Sequence, residues 1–243
     1  MKDWIYGFFM AWGMFLALPC PLKIWNEKAR SKMICCLPLV GFVVGGVWVL
    51  AAYAGRFLPQ SVAGLLIAAA PWLVTGFLHL DGFMDVCDAV LSRRDLPRRQ
   101  EILKDSHCGA FAVIGMVLLA LSQWSVAMAR ENLPLLPLLV IPVASRACAA
   151  LAVLTLRPMT TSQYAAMTGR KAPYVAFAAI VMAAAVTVPL ALWGSFAPLA
   201  AAVGYWLAVW YADRQLGGMS GDVSGFALTL GELWGLAVLT LVR

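Results

Sequence analysis

The sequence predicts an all-α fold: a polytopic helical integral membrane protein of about 7–8 transmembrane helices, with its active-site motifs on the cytoplasmic side. Three observations predict it. First, 63% of the 243 residues are hydrophobic and 12% are charged, with a mean hydropathy of +0.84, whereas soluble domains carry about 25% charged residues. Second, the apolar residues fall in runs long enough to cross a bilayer as helix. They lack the period-2 alternation of a transmembrane barrel. Third, Lys and Arg gather on one side of those runs.

Eight runs are candidates. Residues 4–22 form the first, read either as a spanning helix or as a half-inserted one that ends at Pro19 and Pro21. No small-x-small cleavage site follows it, so a removed signal peptide is disfavoured. The other seven are 33–55, 60–80, 108–129, 134–156, 173–193, 196–212 and 224–242. Pro and Gly fall mostly at the ends of these runs or inside them, where membrane helices tolerate them. No linker or internal repeat divides residues 1–243, which read as one integral membrane domain.

The odd-numbered connections, 23–32, 81–107, 157–172 and 213–223, carry 4, 5, 3 and 1 Lys or Arg. The other side has Lys2, Arg56, Arg130 and Arg243. The positive-inside rule then turns the odd connections toward the cytoplasm, in a multi-pass protein of the cell inner (cytoplasmic) membrane. The pI near 9.1 reflects this topology and contact with anionic headgroups of the lipid bilayer. No basic stripe with interleaved aromatics appears, so nucleic acid is excluded as a partner. Six cysteines show no CxxC and no Cys/His spacing, and read as small apolar packing residues without disulfides.

The chemistry concentrates at 75–109. Asp81, Asp85 and Asp88 stand at i, i+4 and i+7, on one face of any helix they occupy, in a chain with only 12 acidic residues. Capping a helix N-terminus accounts for one or two such aspartates. Three together, preceded by His79, repel one another unless a cation lies between them. Left unpaired at a membrane interface they would cost several kcal/mol. A hard divalent ion such as Mg2+, with phosphate, is the natural counterpart. Downstream, Asp95 is placed to cap a helix with Pro97 in its first turn. Lys104, Asp105 and Ser106 then stand at the membrane boundary. Arg93, Arg94, Arg98 and Arg99 read first as a solvated face.

A second cluster, Gly217-Gly218-Met219-Ser220-Gly221-Asp222-Val223-Ser224-Gly225, reads as a turn whose backbone N–H groups can approach an anion, at the start of a helix. The bland reading is a tight turn between spans. Arg146 and Glu232 lie inside apolar runs, where each charge must pair or line a polar cavity. Asp213 and Arg214 read as an interfacial pair.

Taken together these pieces resemble the cobalamin synthase family, the adenosylcobinamide-GDP ribazoletransferases. The likeness rests on Thr75-Gly76, Leu78-His79, Asp81-Gly82, Asp85 and Asp88. It continues through Lys104-Asp105-Ser106 with Gly109, then Gly217-Gly218, Ser220-Gly221-Asp222 and Gly225. Leu18-Pro19, Pro21 and Leu37-Pro38-Leu39-Val40-Gly41 also fit. Two positions depart from the pattern: Ala89 where glycine is usual, and His107 where arginine often follows KDS.

The resemblance implies transfer of the cobinamide phosphate moiety of adenosylcobinamide-GDP to alpha-ribazole or its 5'-phosphate, with release of GMP. It implies Mg2+ on Asp81, Asp85 and Asp88. Catalytic residues would be those three with His79, Lys104 and Asp105, and the substrate would meet Ser106, His107, Arg146, Gly218, Ser220, Gly221 and Asp222. Partners would be the two small-molecule substrates and the bilayer, and a second copy of the chain or other cobalamin-pathway enzymes are compatible with it. The rivals are a CDP-alcohol phosphotransferase-like or prenyltransferase-like membrane enzyme, and a transporter. The first expects an Ala-Arg pair where Asp85-Val86 stands, and the second usually has two aspartate-rich motifs.

Overall fold

The computed structural model of the chain describes residues 2–129, 133–159, 162 and 172–242, and among them every regular element is a helix. In order these helices are α1 (Lys2–Phe15), a 3-10 turn (Glu27–Ala29), α2 (Arg30–Cys35), α3 (Leu37–Gly55), α4 (Gln60–Val74), α5 (Leu78–Leu91) and α6 (Leu96–Ile102). Then follow α7 (Ala110–Met128), α8 (Leu135–Thr155), α9 (Ala172–Trp193), α10 (Ala197–Leu216) and α11 (Gly221–Leu241). Arg130, Arg170, Lys171 and Arg243, all counted in the charge asymmetry, lie outside the described residues.

The chain is a multi-pass membrane protein. Helices α3, α7, α8, α9 and α11 are each long and apolar enough to cross a bilayer, and α4 with α5 forms a sixth candidate bent by 92°. Among the described residues the candidates by length and composition thus number five or six against the eight runs read from sequence, for identifiable reasons. Helix α1 stops at Phe15, which gives about 21 Å of helix against a hydrocarbon core of about 30 Å. Helix α10 reaches 20 residues but ends in Asp213-Arg214-Gln215 and is less apolar than the other five. The run 60–80 breaks at Thr75, where the Thr75 hydroxyl donates to the carbonyls of Pro71 and Trp72 and competes with the helix. Gly76 (φ 59°) and Phe77 (φ 62°) then turn left-handed and start α5 in a new direction.

Packing between helices explains several local choices. Pro71 lacks the N–H that would satisfy the Ile67 carbonyl, and the buried Trp48 indole of α3 donates to that carbonyl instead, at 2.7 Å. Gly41 and Gly45, four residues apart on α3, let its backbone lie directly on the α8 backbone at Leu139 and Pro142. Helix α8 is thereby fixed deep in the bundle, and it carries Arg146. By contrast α7 and α9 turn apolar side chains such as Leu118, Ile180 and Leu192 outward, a surface suited to acyl chains. All six cysteines are free.

The polar end of the bundle is assembled from loops. Gly217 (φ 78°) closes α10 in the left-handed region. Helix α6 completes that end: Arg99 and Gln100 donate to the carbonyls of Gln215 and Leu216, the latter at 2.8 Å. Arg99 is therefore held in place as a cap for α10, and it also contacts the Gln215 side chain. Asp95 occupies the N-cap position of α6 but makes no capping hydrogen bond there. Asp213 and Arg214 do not pair; the Arg214 guanidinium instead stacks over the Trp210 ring, 4.4 Å from its centroid.

Candidate active site

Helix α5 crosses α11 at glycines. A Cβ on Gly82 would stand 2.8 Å from the Asp222 Cα, and one on Gly225 would stand 3.0 Å from the His79 carbonyl oxygen. Only a bare backbone allows that approach, and the approach brings the first turns of the two helices together. The Thr229 hydroxyl adds hydrogen bonds to the carbonyls of His79 and Gly225, at 3.4 and 2.9 Å. The start of α11 is fixed in turn: Ser220 Oγ caps it by accepting from the Val223 N–H at 3.2 Å. Two backbone hydrogen bonds, Met159 N–H to Met219 and Met219 N–H to Arg157, tie the glycine turn to the end of α8.

Around this crossing lies a cavity of about 390 Å3. His79 and Asp81 from α5, Lys104 from the loop after α6, Arg146 from α8, and Ser220, Gly221 and Asp222 from the start of α11 all line it. Three motifs, the last more than a hundred residues from the other two, thus meet in one place. The remaining wall is mostly apolar, notably Phe15 of α1, Met33 and Ile34 of α2 and Leu228 of α11. The Phe15 ring stacks near-parallel to His79 at 6.5 Å between centroids.

The acidic residues divide. Asp81 is exposed to the cavity, and Asp222 lines it half-buried with its Oδ2 3.3 Å from the Ser220 hydroxyl. Asp85 is half-buried one turn further on; it does not line the cavity, but the charges of Asp81, Asp222 and Asp88 all act on it. Asp88 has a different task. Its two oxygens accept the Gly109 and Ala112 N–H groups, at 2.6 and 3.0 Å, and so cap α7. The expectation that the trio acts as one ligand face is therefore modified: the shared face is bent toward two neighbours, α11 at one end and α7 at the other.

No ion pair holds Asp81, Asp85 or Asp222 among the described residues. Three carboxylates without a cation suit a hard divalent ion, by the chemistry of their oxygens. No three His, Cys, Asp or Glu side chains there stand close enough to form a complete ligand set.

The remaining expected residues are placed as follows. Asp105 and His107 are exposed and bonded to each other, with His107 Nδ1 2.6 Å and its backbone N–H 3.0 Å from Asp105 Oδ1. The His107 contact holds the Asp105 carboxyl below its usual range. Neither they nor Ser106 and Gly218 line the cavity. Arg146 is 1% exposed and bonded to Glu232, so the two intramembrane charges do pair. Arg30 of α2 and Phe15 of α1 line the cavity without any local sequence signal; Ser224 and Gly225, inside the glycine cluster, could have been found from it.

Comparison with known proteins points the same way. The family model described as cobalamin-5-phosphate synthase matches residues 7–240. Relatives named adenosylcobinamide-GDP ribazoletransferase include one from Clostridium botulinum (strain Alaska E43 / Type E3), 35% identical over 97% of each chain. One from Clostridium perfringens (strain 13 / Type A) is 34% identical over 100% of each, and one from Geobacillus kaustophilus is 33% identical over 97% of this chain and 96% of its own. No solved structure matches.

Proposed function

We propose, from the premise that this chain belongs to the cobalamin-5-phosphate synthase family, that it transfers the cobinamide phosphate moiety of adenosylcobinamide-GDP to alpha-ribazole or its 5'-phosphate. The products are GMP and adenosylcobalamin or its 5'-phosphate, and the step completes the nucleotide loop. The observation that carries this reading is the convergence of Asp81, Lys104 and Asp222, one from each of the three motifs, on a single cavity.

The chemistry is displacement at phosphorus. A ribose hydroxyl that is free in both acceptors, and so not the one at the 5' position, bonds through its oxygen to the cobinamide-side phosphorus, the bridging P–O bond of the diphosphate breaks, and GMP leaves with that oxygen. His79 and Asp81 both line the cavity and supply the proton acceptor for the hydroxyl. Lys104, Arg30 and Arg146 offset phosphate charge from three other directions. The positive end of α11, 21 residues long, faces the same space at Gly221. One or two of Asp81, Asp85 and Asp222 would hold Mg2+, and Asp88 supports them by fixing α7. When bound, Mg2+ supplies positive charge to the diphosphate oxygens and the departing GMP.

The same reading places the protein in the cell inner (cytoplasmic) membrane with the cavity facing the cytoplasm. Supporting it, Arg30 and Lys104 of the two most basic connections both line that cavity. Arg93, Arg94 and Arg98 around α6 are the surface on which a second copy or other cobalamin-pathway enzymes would dock.

The test is to incubate membranes containing the chain with adenosylcobinamide-GDP and alpha-ribazole and to measure products. Equimolar GMP and adenosylcobalamin are expected. The absence of both products from folded protein would overturn the proposal.

A further inference from the structure

The cavity contains a positive group whose hydrogen-bonding capacity is half used. Arg146 Nη1 donates to Glu232 and to the Pro142 carbonyl, the latter at 3.4 Å. The Ser145 hydroxyl donates to the same Glu232 oxygen at 3.3 Å, which fixes the carboxylate as well. The other two nitrogens, Nε and Nη2, are buried and have no hydrogen-bond partner among the described residues. Those two form the side edge of the guanidinium, whose parallel N–H groups match two oxygens of one phosphoryl group. Buried donors left unmatched are costly. Here they belong to a side chain that lines the cavity beside His79, on which its charge acts.

Resting on the function proposed above, we infer that the Nε–Nη2 edge of Arg146 is a metal-independent seat for one phosphoryl group of the substrate, with Glu232 as its positioning residue. Glu232 holds the far corner of the guanidinium and so leaves the side edge as the face presented to an anion. The carboxylates that would hold Mg2+ stand on α5 and α11, and Arg146 stands on α8. The diphosphate is then gripped by two chemically distinct devices, one needing metal and one not.

The experiment separates them. Purified full-length protein in EDTA is titrated with GMP and, as the uncharged control, with guanosine. Wild type should bind GMP more tightly than guanosine without metal, and Asp81→Asn should keep that preference. Arg146→Lys retains the charge but lacks the paired donors, and should weaken GMP binding about tenfold while leaving guanosine unchanged. Because an unpaired buried charge can unfold a protein, Arg146→Gln combined with Glu232→Gln removes both charges together; this variant should also weaken GMP binding about tenfold or more while leaving guanosine unchanged. Wild-type GMP affinity in either Arg146 variant, or no preference for GMP in the wild type, would overturn the inference. The two readings fail separately: a wild type that turns over substrates while Arg146 variants bind GMP normally sinks only this inference, and a wild type that makes neither GMP nor cobalamin sinks the proposed function.

Discussion

Replacing Gly82 by alanine perturbs the crossing of α5 and α11 and touches no group with chemistry of its own. The added Cβ would lie 2.8 Å from the Asp222 Cα and 3.0 Å from its carbonyl oxygen. Carbon atoms in contact rest at about 3.5–4.0 Å, so the helices must part by roughly 0.7–1.2 Å. Overpacking of this kind costs about 1–3 kcal/mol. The larger effect should fall on catalysis. Asp81 and Asp222 are the neighbours being separated, and displacement of about 1 Å within a reacting constellation can cost roughly a hundredfold in rate. The assay measures GMP release at saturating substrates alongside thermal unfolding of the detergent-solubilised protein. Gly46→Ala serves as the control, since no atom lies within 4 Å of a Cβ built there. A wild-type rate from folded Gly82→Ala protein would refute the claim that this crossing sets the site.

Asp85→Asn should abolish GMP formation while the protein still inserts and unfolds at the wild-type temperature; near-wild-type activity would sink the assignment of Asp85 to the metal. Asp88→Ala should act through stability, losing about 0.5–2 kcal/mol as the α7 cap disappears, whereas Asp88→Asn should recover part of it, both read from thermal unfolding. Addition of EDTA to active membranes should stop turnover and excess Mg2+ should restore it; a chelation-resistant rate would remove Mg2+ from the account. Lowering the pH through the depressed range of Asp105 should break its contact with His107, because a carboxyl held below its usual range keeps that contact above the range and loses it only in acid. The His107 ring NMR signals follow this directly, and a contact that persists in strong acid would contradict the pairing.

Much of the site could be read from the chain because its chemistry sits in short, dense motifs. Asp81, Lys104 and Asp222 were each marked by charge in an apolar chain, and they do share one cavity. What could not be read were the long-range choices. The i, i+4, i+7 spacing put Asp88 with its two neighbours, but its task was decided by Gly109 and Ala112, more than twenty residues away. Arg146 and Glu232 each announced the need for a partner, yet spacing alone could not tell which, since 86 residues separate them. The break after Val74 depends on two left-handed residues, and the second, Phe77, carries no sequence signal for that conformation. Phe15 and Arg30 were hidden because nothing local distinguishes a cavity wall from any other helix face.

The central claim is that the diphosphate is held where the three motifs meet. An experimental structure of the protein with GMP and Mg2+ tests it most directly. The account predicts phosphate density among Asp81, Asp222 and Arg146, with the ion beside the carboxylates. Density settled instead on the arginines around α6, with this cavity empty, would contradict it.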